Sequence, residues 1–117
     1  MTLKEAFFKD LAHHLVMWRD DLVAAIKDPS TATWADSHSV LERLNLQCGG
    51  IDAEDLRAVL NECFRGILHS TLVTLDGGSD VSETGTLQLI DADTQQPLTA
   101  GALHEEFFQY LAEHDML

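Results

Sequence analysis

Histidine is the residue type in this sequence with the widest chemical use, because imidazole binds metals and transfers protons near neutral pH. The six histidines are His13, His14, His38, His69, His104 and His114. No two are four residues apart, and the HExxH motif of zinc hydrolases does not occur. The densest group of ligand types is His104-Glu105-Glu106, but adjacent helical residues point in different directions. The spacing predicts no metal site and no cofactor, and His104 is interpreted as a hydrogen-bonded core histidine.

Two acidic loops resemble ligand-binding loops, one for calcium and one for phosphate, but each lacks residues or a position that such a loop needs. Residues 91–95 (DADTQ) begin like a calcium-binding loop, which needs Gly at its sixth position and Glu at its twelfth. Those positions hold Gln96 and Ala102, so a solvated hairpin turn is favoured. Residues 76–80 (DGGSD) are acidic and follow a helical pattern instead of preceding one, which favours helix termination over phosphate binding.

The sequence contains no arrangement typical of nucleophilic catalysis. The GxSxG motif is missing, and Cys63 and His69 fall on different faces of one predicted helix. His69 is predicted to lie on a polar surface with Arg65 and Glu62. Cys48 and Cys63 lack metal-ligand spacing and are interpreted as reduced, packed thiols.

The charge is strongly acidic, with 20 Asp and Glu against 7 Lys and Arg and a formal net charge of −13. Such a chain repels nucleic-acid phosphates and anionic membranes, and it is attracted to basic surfaces. Acidity also serves solubility alone, and that alternative stays open. No apolar run approaches a membrane span and no secretory signal opens the chain, so the predicted location is cytoplasmic.

The elements that position these residues are mainly helical. A long helix is predicted over 3–27, and its apolar stripe covers about half of the circumference, wider than a surface helix needs. This width fits a central core helix or a homodimer interface. A shorter helix is predicted near 38–46. Another begins at an Asp52 cap and ends at 76–78, with a strand as the alternative over 71–75.

The C-terminal part predicts a hairpin followed by a helix. Residues 86–91 predict a strand, and 97–98 begin the segment that returns to pair with it. A last helix is predicted over 102–114, capped by Thr99, with aromatic residues facing those of the first helix. The predicted fold is a mainly helical α+β single domain, residues 1–117, with three or four helices and a small antiparallel β-hairpin.

Two segments carry a resemblance to a family. Residues 64–78 (FRGILHSTLVTLDGG) and 103–111 (LHEEFFQYL) together resemble small uncharacterised bacterial proteins, some of which are of the toxin-immunity type. The resemblance covers about a third of the chain and transfers no functional residue. It implies a compact acidic protein that binds and blocks a toxin partner.

The composition and the loops together predict a non-catalytic protein that binds or inhibits another protein with a basic surface. The predicted partner-binding residues share a polar, loop-rich region: Asp76, Asp80, Glu83, Asp91 and Asp93. Two alternatives remain open. One is a small metal-dependent or hydrolytic enzyme that uses His104 and Glu105, and the other is a dimeric regulatory or structural subunit that pairs through helix 3–27.

Overall fold

Four helices and one short hairpin follow one another in this computed structural model, which describes all residues from Met1 to Leu117. The helices are α1 (Leu3–Lys27), α2 (His38–Cys48), α3 (Ala53–Leu75) and α4 (Leu103–Glu113), and the strands are β1 (Ile90–Asp91) and β2 (Gln96–Pro97). The predicted α+β class, mainly helical with a small antiparallel hairpin, is confirmed. None of the helices has the length and apolar character that crossing a membrane requires.

Local capping sets several helix ends where the sequence predicts them. Asp52 caps α3, because its Oδ1 accepts hydrogen bonds from the backbone N–H groups of Glu54 (2.8 Å) and Asp55 (3.3 Å). At the end of α1, Pro29 disfavours further helix, and Oδ1 of Asp28 accepts from the N–H of Ser30 (3.1 Å). The chain then makes a short 3₁₀ turn over Pro29–Thr31.

The end of α3 is a Schellman motif. Gly77 has a positive φ of 78°, which a residue without Cβ adopts freely. The N–H of Gly78 donates to the carbonyl of Val73 (2.9 Å), and that of Gly77 donates to the carbonyl of Thr74 (3.1 Å). The predicted end at 76–78 is confirmed. The strand alternative for 71–75 is wrong, since Leu72 is 2% exposed in the core and packing there outweighs β propensity.

The hairpin is shorter than its sequence predicts. Ile90 pairs with Pro97 and Asp91 with Gln96, so only the last two residues of the predicted strand 86–91 form a ladder. Pro97 has no N–H to donate, which limits pairing on that strand. One further bond runs from the N–H of Leu98 to the carbonyl of Leu89 (2.9 Å).

The contacts of the chain group into two compact units. The first unit contains Met1–His13 and Arg65–Leu117, and the second contains His14–Phe64. The prediction of one domain over 1–117 stays a prediction. In the first unit, the ring centroids of Phe8 and Phe107 are 5.5 Å apart, so the two terminal helices meet in the core as predicted. The buried members of this core are Phe8, Ala12, Leu72, Leu103, Phe107 and Leu111.

The second unit is held by small apolar residues and by polar links to the end of α1. Nδ2 of Asn45 donates to the carbonyls of Ile26 (2.9 Å) and Lys27 (3.0 Å), and Nζ of Lys27 donates to the carbonyl of Gly49 (2.9 Å). The Asn45 bonds satisfy carbonyls that a helix end leaves without partners. The buried cluster of this unit consists of Ala25, Ala32 and Leu41.

The apolar stripe predicted for α3 is only partly buried. Val59 and Ile67 are 61% and 64% exposed, and Cys63 between them is exposed as well. The interpretation of Cys63 as a packed thiol is therefore wrong. Helical spacing identifies residues that share a face, and it does not identify which neighbours cover that face.

Candidate functional site

Asp76 connects the end of α3 to the start of α4. Its Oδ1 accepts the backbone N–H of Leu103 (2.9 Å), and its Oδ2 accepts that of His104 (3.0 Å). Oδ2 also lies 2.5 Å from Nδ1 of His104, which donates because an ionised carboxylate only accepts. The predicted Thr99 cap is wrong. Oγ1 of Thr99 accepts from Gly101 (3.1 Å) outside the helix, and Asp76 fills the capping role.

Opposing effects act on the Asp76 carboxyl, whose side chain is 12% exposed. Burial is the largest influence and raises its pKa, because it penalises the charged form. The hydrogen bonds from His104 and Leu103 together outweigh burial, so the pKa of Asp76 lies below its ordinary value. The carboxylate is therefore held ionised at the start of α4, where negative charge is favourable.

His104 is a hydrogen-bonded, largely buried histidine, as the sequence predicts, with its side chain 24% exposed. The ring of His69 meets it edge-on, with centroids 5.3 Å apart. The prediction that His69 lies on the surface is confirmed, because the residue is exposed, and its ring also packs against His104. The charge cluster with Arg65 and Glu62 stays a prediction. The adjacent Glu105 is exposed and forms no ion pair with His104.

Two of the predicted partner-binding residues lie on a 3₁₀ turn after α3. The turn spans Asp80–Glu83, and the carboxylates at its two ends are both exposed. No Lys or Arg side chain pairs with either of them. The structure thus leaves both charges uncompensated, in contrast to Asp76, whose carboxylate is committed to α4.

The other two predicted residues lie on the hairpin. Oδ1 of Asp91 accepts the N–H groups of Asp93 (2.8 Å) and Thr94 (3.3 Å), an Asx turn that shapes the connection. Gln95 completes the turn with a positive φ of 61°. Neither the Asp91 nor the Asp93 carboxylate forms an ion pair with Lys or Arg. No group of three or more His, Cys, Asp or Glu side chains is arranged to hold a metal ion.

The cations of the chain are largely engaged in internal contacts. Lys4 pairs with Glu106 (3.3 Å), and Lys27 donates to backbone carbonyls. Arg19 (2.9 Å) and Arg57 (3.1 Å) share Oδ1 of Asp20. The Arg19 hydrogen bond, reinforced by Arg57, outweighs desolvation and lowers the pKa of Asp20. Four of the seven Lys and Arg side chains are therefore unavailable to neutralise the exposed carboxylates.

An open groove of about 860 Å³ lies between the start of α1 and α4. Glu106, Tyr110 and Glu113 line it from one face of α4, at the spacing of successive helical turns. Tyr110 and His114 stack with centroids 4.0 Å apart and form an aromatic wall. Sequence reasoning missed this groove. Helical spacing predicts the α4 face, but not the α1 surface opposite it.

Glu106 is only half satisfied. Oε1 contacts Nζ of Lys4, while Oε2 is buried and accepts no hydrogen bond. An unmade bond at a buried acceptor costs about 1–3 kcal/mol, more for a charged group. Because Oε2 has almost no accessible surface, a donor from the groove reaches it only by displacing a neighbouring group such as Lys4, and it then gains the unmade hydrogen bond.

The surface of the second unit carries an exposed aromatic pair. Trp18 on α1 and Trp34 in the following loop meet edge-to-face, with centroids 5.3 Å apart. They are 45% and 43% exposed, so Trp34 anchors its loop without becoming buried. The Trp18 edge of α1 is the part of the predicted apolar stripe that stays open in the monomer.

Comparisons with models of protein families, with curated proteins and with solved structures find no match to this chain.

Proposed function

We propose that this protein binds another protein with a basic surface and blocks it by occlusion, in the manner of toxin-immunity proteins. The observation that supports this is a set of four carboxylates on two loops, three of them exposed and Asp91 half-buried, none paired with Lys or Arg: Asp80, Glu83, Asp91 and Asp93. We refer to these four residues as the acidic loop set. Loops held by a helical scaffold are common recognition elements.

The charge of the chain favours an electrostatic encounter. With a net charge of −13, the long-range field of the whole protein is negative and adds to that of the acidic loop set. Such fields raise association rates and weaken as salt shortens their range to about 8 Å at physiological ionic strength. Asp76 does not belong to the proposed contact set, because both of its oxygens already accept hydrogen bonds.

The test begins with capture of the partner from a lysate of the source organism, followed by binding kinetics at two salt concentrations. The variant neutralises the acidic loop set with Asp80→Asn, Glu83→Gln, Asp91→Asn and Asp93→Asn. Asn at 91 retains the acceptor oxygen of the Asx turn. We expect the association rate to fall about tenfold at low salt, with little change in stability, as neutralising contact-rim charges does.

A matched control makes the same charge change on the second unit. The exposed residues Asp21, Asp36, Glu42 and Glu62 are replaced by Asn or Gln. We expect at most about a twofold change in association rate, from the general field alone. Equal effects of the two quadruple variants, or a rate indifferent to salt, would contradict the proposed surface.

A second candidate is a dimeric subunit that pairs through helix 3–27. The half-exposed Trp18 and Trp34 favour it, because large aromatic side chains are enriched at protein interfaces. Sedimentation equilibrium of the wild type and of Trp18→Ala distinguishes the candidates. A dimer that dissociates in the variant supports the dimeric subunit, and a monomer in both removes it.

A further inference from the structure

The groove between α1 and α4 is lined by charged and aromatic side chains, and its acidic groups outnumber its basic ones. Lys4 and Glu5 line it from α1, and they face the Glu106 turn of α4. Its carboxylates are Glu5, Glu105, Glu106 and Glu113, against the cations Lys4 and Lys9 and the ammonium group of Met1. This balance makes a cationic occupant more favourable than an anionic one.

The Lys4–Glu106 pair is weak enough to be displaced. The two side chains are 36% and 33% exposed and are joined by one contact of 3.3 Å. An ammonium group is a point charge that meets one oxygen here, and Oε2 remains without a donor. A guanidinium is a planar fork that presents parallel N–H groups to both oxygens of a carboxylate. The half-used carboxylate is thus better matched by arginine than by lysine.

The aromatic wall adds a second recognition feature. Tyr110 and His114 line the groove one turn apart, and Tyr110 follows Glu106 by one helical turn on the same face. A guanidinium stacks on aromatic rings while its edge donates to a carboxylate. A carboxylate and an aromatic ring in one groove therefore suit the edge and the flat face of one guanidinium group.

We propose that this groove receives an arginine side chain of the basic partner, whose guanidinium displaces Nζ of Lys4 and binds both oxygens of Glu106. This inference rests on the proposed function for the nature of the partner. The groove provides a second contact besides the acidic loop set. The acidic loop set attracts any basic group, whereas the groove selects arginine over lysine. The binding is reversible and involves no covalent step.

The direct test titrates the full-length protein with a capped Gly-Arg-Gly-Arg-Gly peptide and follows backbone amide shifts by NMR. Peptides with lysine or citrulline in place of arginine serve as controls for charge and for shape. We expect shifts at Lys4, Glu106, Tyr110 and His114. The lysine peptide is expected to bind about fivefold or more weakly, since a charge-assisted fork adds directional bonds. The citrulline peptide is expected to cause no shift.

Three variants separate recognition from general electrostatics. Glu106→Gln should weaken the arginine peptide about tenfold, which corresponds to about 1.4 kcal/mol. Glu105→Gln makes the same charge change in the same groove at an exposed, unpaired residue, and should alter affinity by about twofold at most. Lys4→Met removes the competing cation and should tighten binding severalfold. Because the loss of a cation favours any cationic peptide, the decisive outcome is a larger gain for the arginine peptide than for the lysine peptide, and this variant keeps the test decisive if Glu106→Gln proves unstable.

The outcomes separate this inference from the proposed function. Equal binding of the arginine and lysine peptides, shifts confined to the acidic loop set, or no arginine-selective gain from Lys4→Met overturns the arginine groove and leaves the proposed function standing. If a captured partner ignores salt and the acidic loop variant, the proposed function fails. In that case, arginine-selective shifts in the groove would still support the groove.

Discussion

Asp76 and His104 are 28 positions apart in the sequence, and 2.5 Å separates Oδ2 of one from Nδ1 of the other. The residue that ends α3 therefore also caps α4. One carboxylate fixes the direction in which the C-terminal helix leaves the hairpin. It thereby fixes the α4 face that borders the groove.

Replacing Asp76 by Asn should destabilise the fold by about 2 kcal/mol, in the range of lost caps and charge-assisted hydrogen bonds. The amide keeps one acceptor but directs an NH₂ group at the donors of His104. Urea unfolding measures the loss. Asp80→Asn is the matched control, because that side chain is exposed, and it should cost less than about 0.5 kcal/mol. Similar losses in both variants would show that Asp76 does not act as a cap.

The contribution of Asp76 to the free energy of unfolding should decrease as pH falls. Its pKa in the folded protein lies below the ordinary value of 3.8, so its stabilisation is complete above that value and declines as pH falls through the lowered pKa. The difference in unfolding free energy between wild type and Asp76→Asn should therefore shrink as pH falls from about 5 to about 3. A difference that grows over that range would reverse the sign and refute the assignment.

Two adjacent phenylalanines on α4 should differ strongly in the stability lost on truncation. Phe107 is 2% exposed and packs against Phe8, whereas Phe108 is 50% exposed. Phe107→Ala should cost about 3–5 kcal/mol, and Phe108→Ala less than about 1 kcal/mol. Chemical denaturation of both variants provides the comparison. A large loss in Phe108→Ala would place that side chain in an interface and not in solvent.

Two glycines, one within α3 and one just after it, should change stability in opposite directions when replaced by alanine. Gly77 has a φ of 78°, so a Cβ strains it and Gly77→Ala should destabilise by about 1 kcal/mol. Gly66 lies within the helix with open space around its Cα, so Gly66→Ala should stabilise by about 0.5–1 kcal/mol. Thermal or urea unfolding of the pair checks the Schellman motif independently of Asp76.

Helix ends that depend on residues close together in the chain could be predicted from the sequence. The Asp52 cap, the glycine at the end of α3 and the break at Pro29 each act on neighbouring backbone, and all three occur where predicted. The apolar spacing of α1 also gave its bounds, Leu3–Lys27, because a long amphipathic pattern is the strongest local signal of a helix.

Contacts between residues far apart in the sequence could not be predicted in this way. Thr99 has the right chemistry for a cap, but Asp76 occupies that role from the end of another helix. His69 has polar neighbours in sequence and an aromatic neighbour in space. The Lys4–Glu106 pair joins residues 102 positions apart, and with it the groove depends on tertiary packing that a single sequence does not encode locally.

The first unit is assembled from two stretches of chain that flank the second, and this affects how the protein is made. A ribosome releases α1 first, and Phe8 and Ala12 have no Phe107 to cover them until α4 emerges. Closing a loop of about a hundred residues costs only slightly more entropy than closing a shorter one, but contacts between residues far apart in the sequence slow folding. During that interval the uncovered face of the nascent helix is open to chaperones and to other unfinished chains. The yield in a cell should therefore depend on the speed of translation through the C-terminal segment as well as on the stability of the finished molecule.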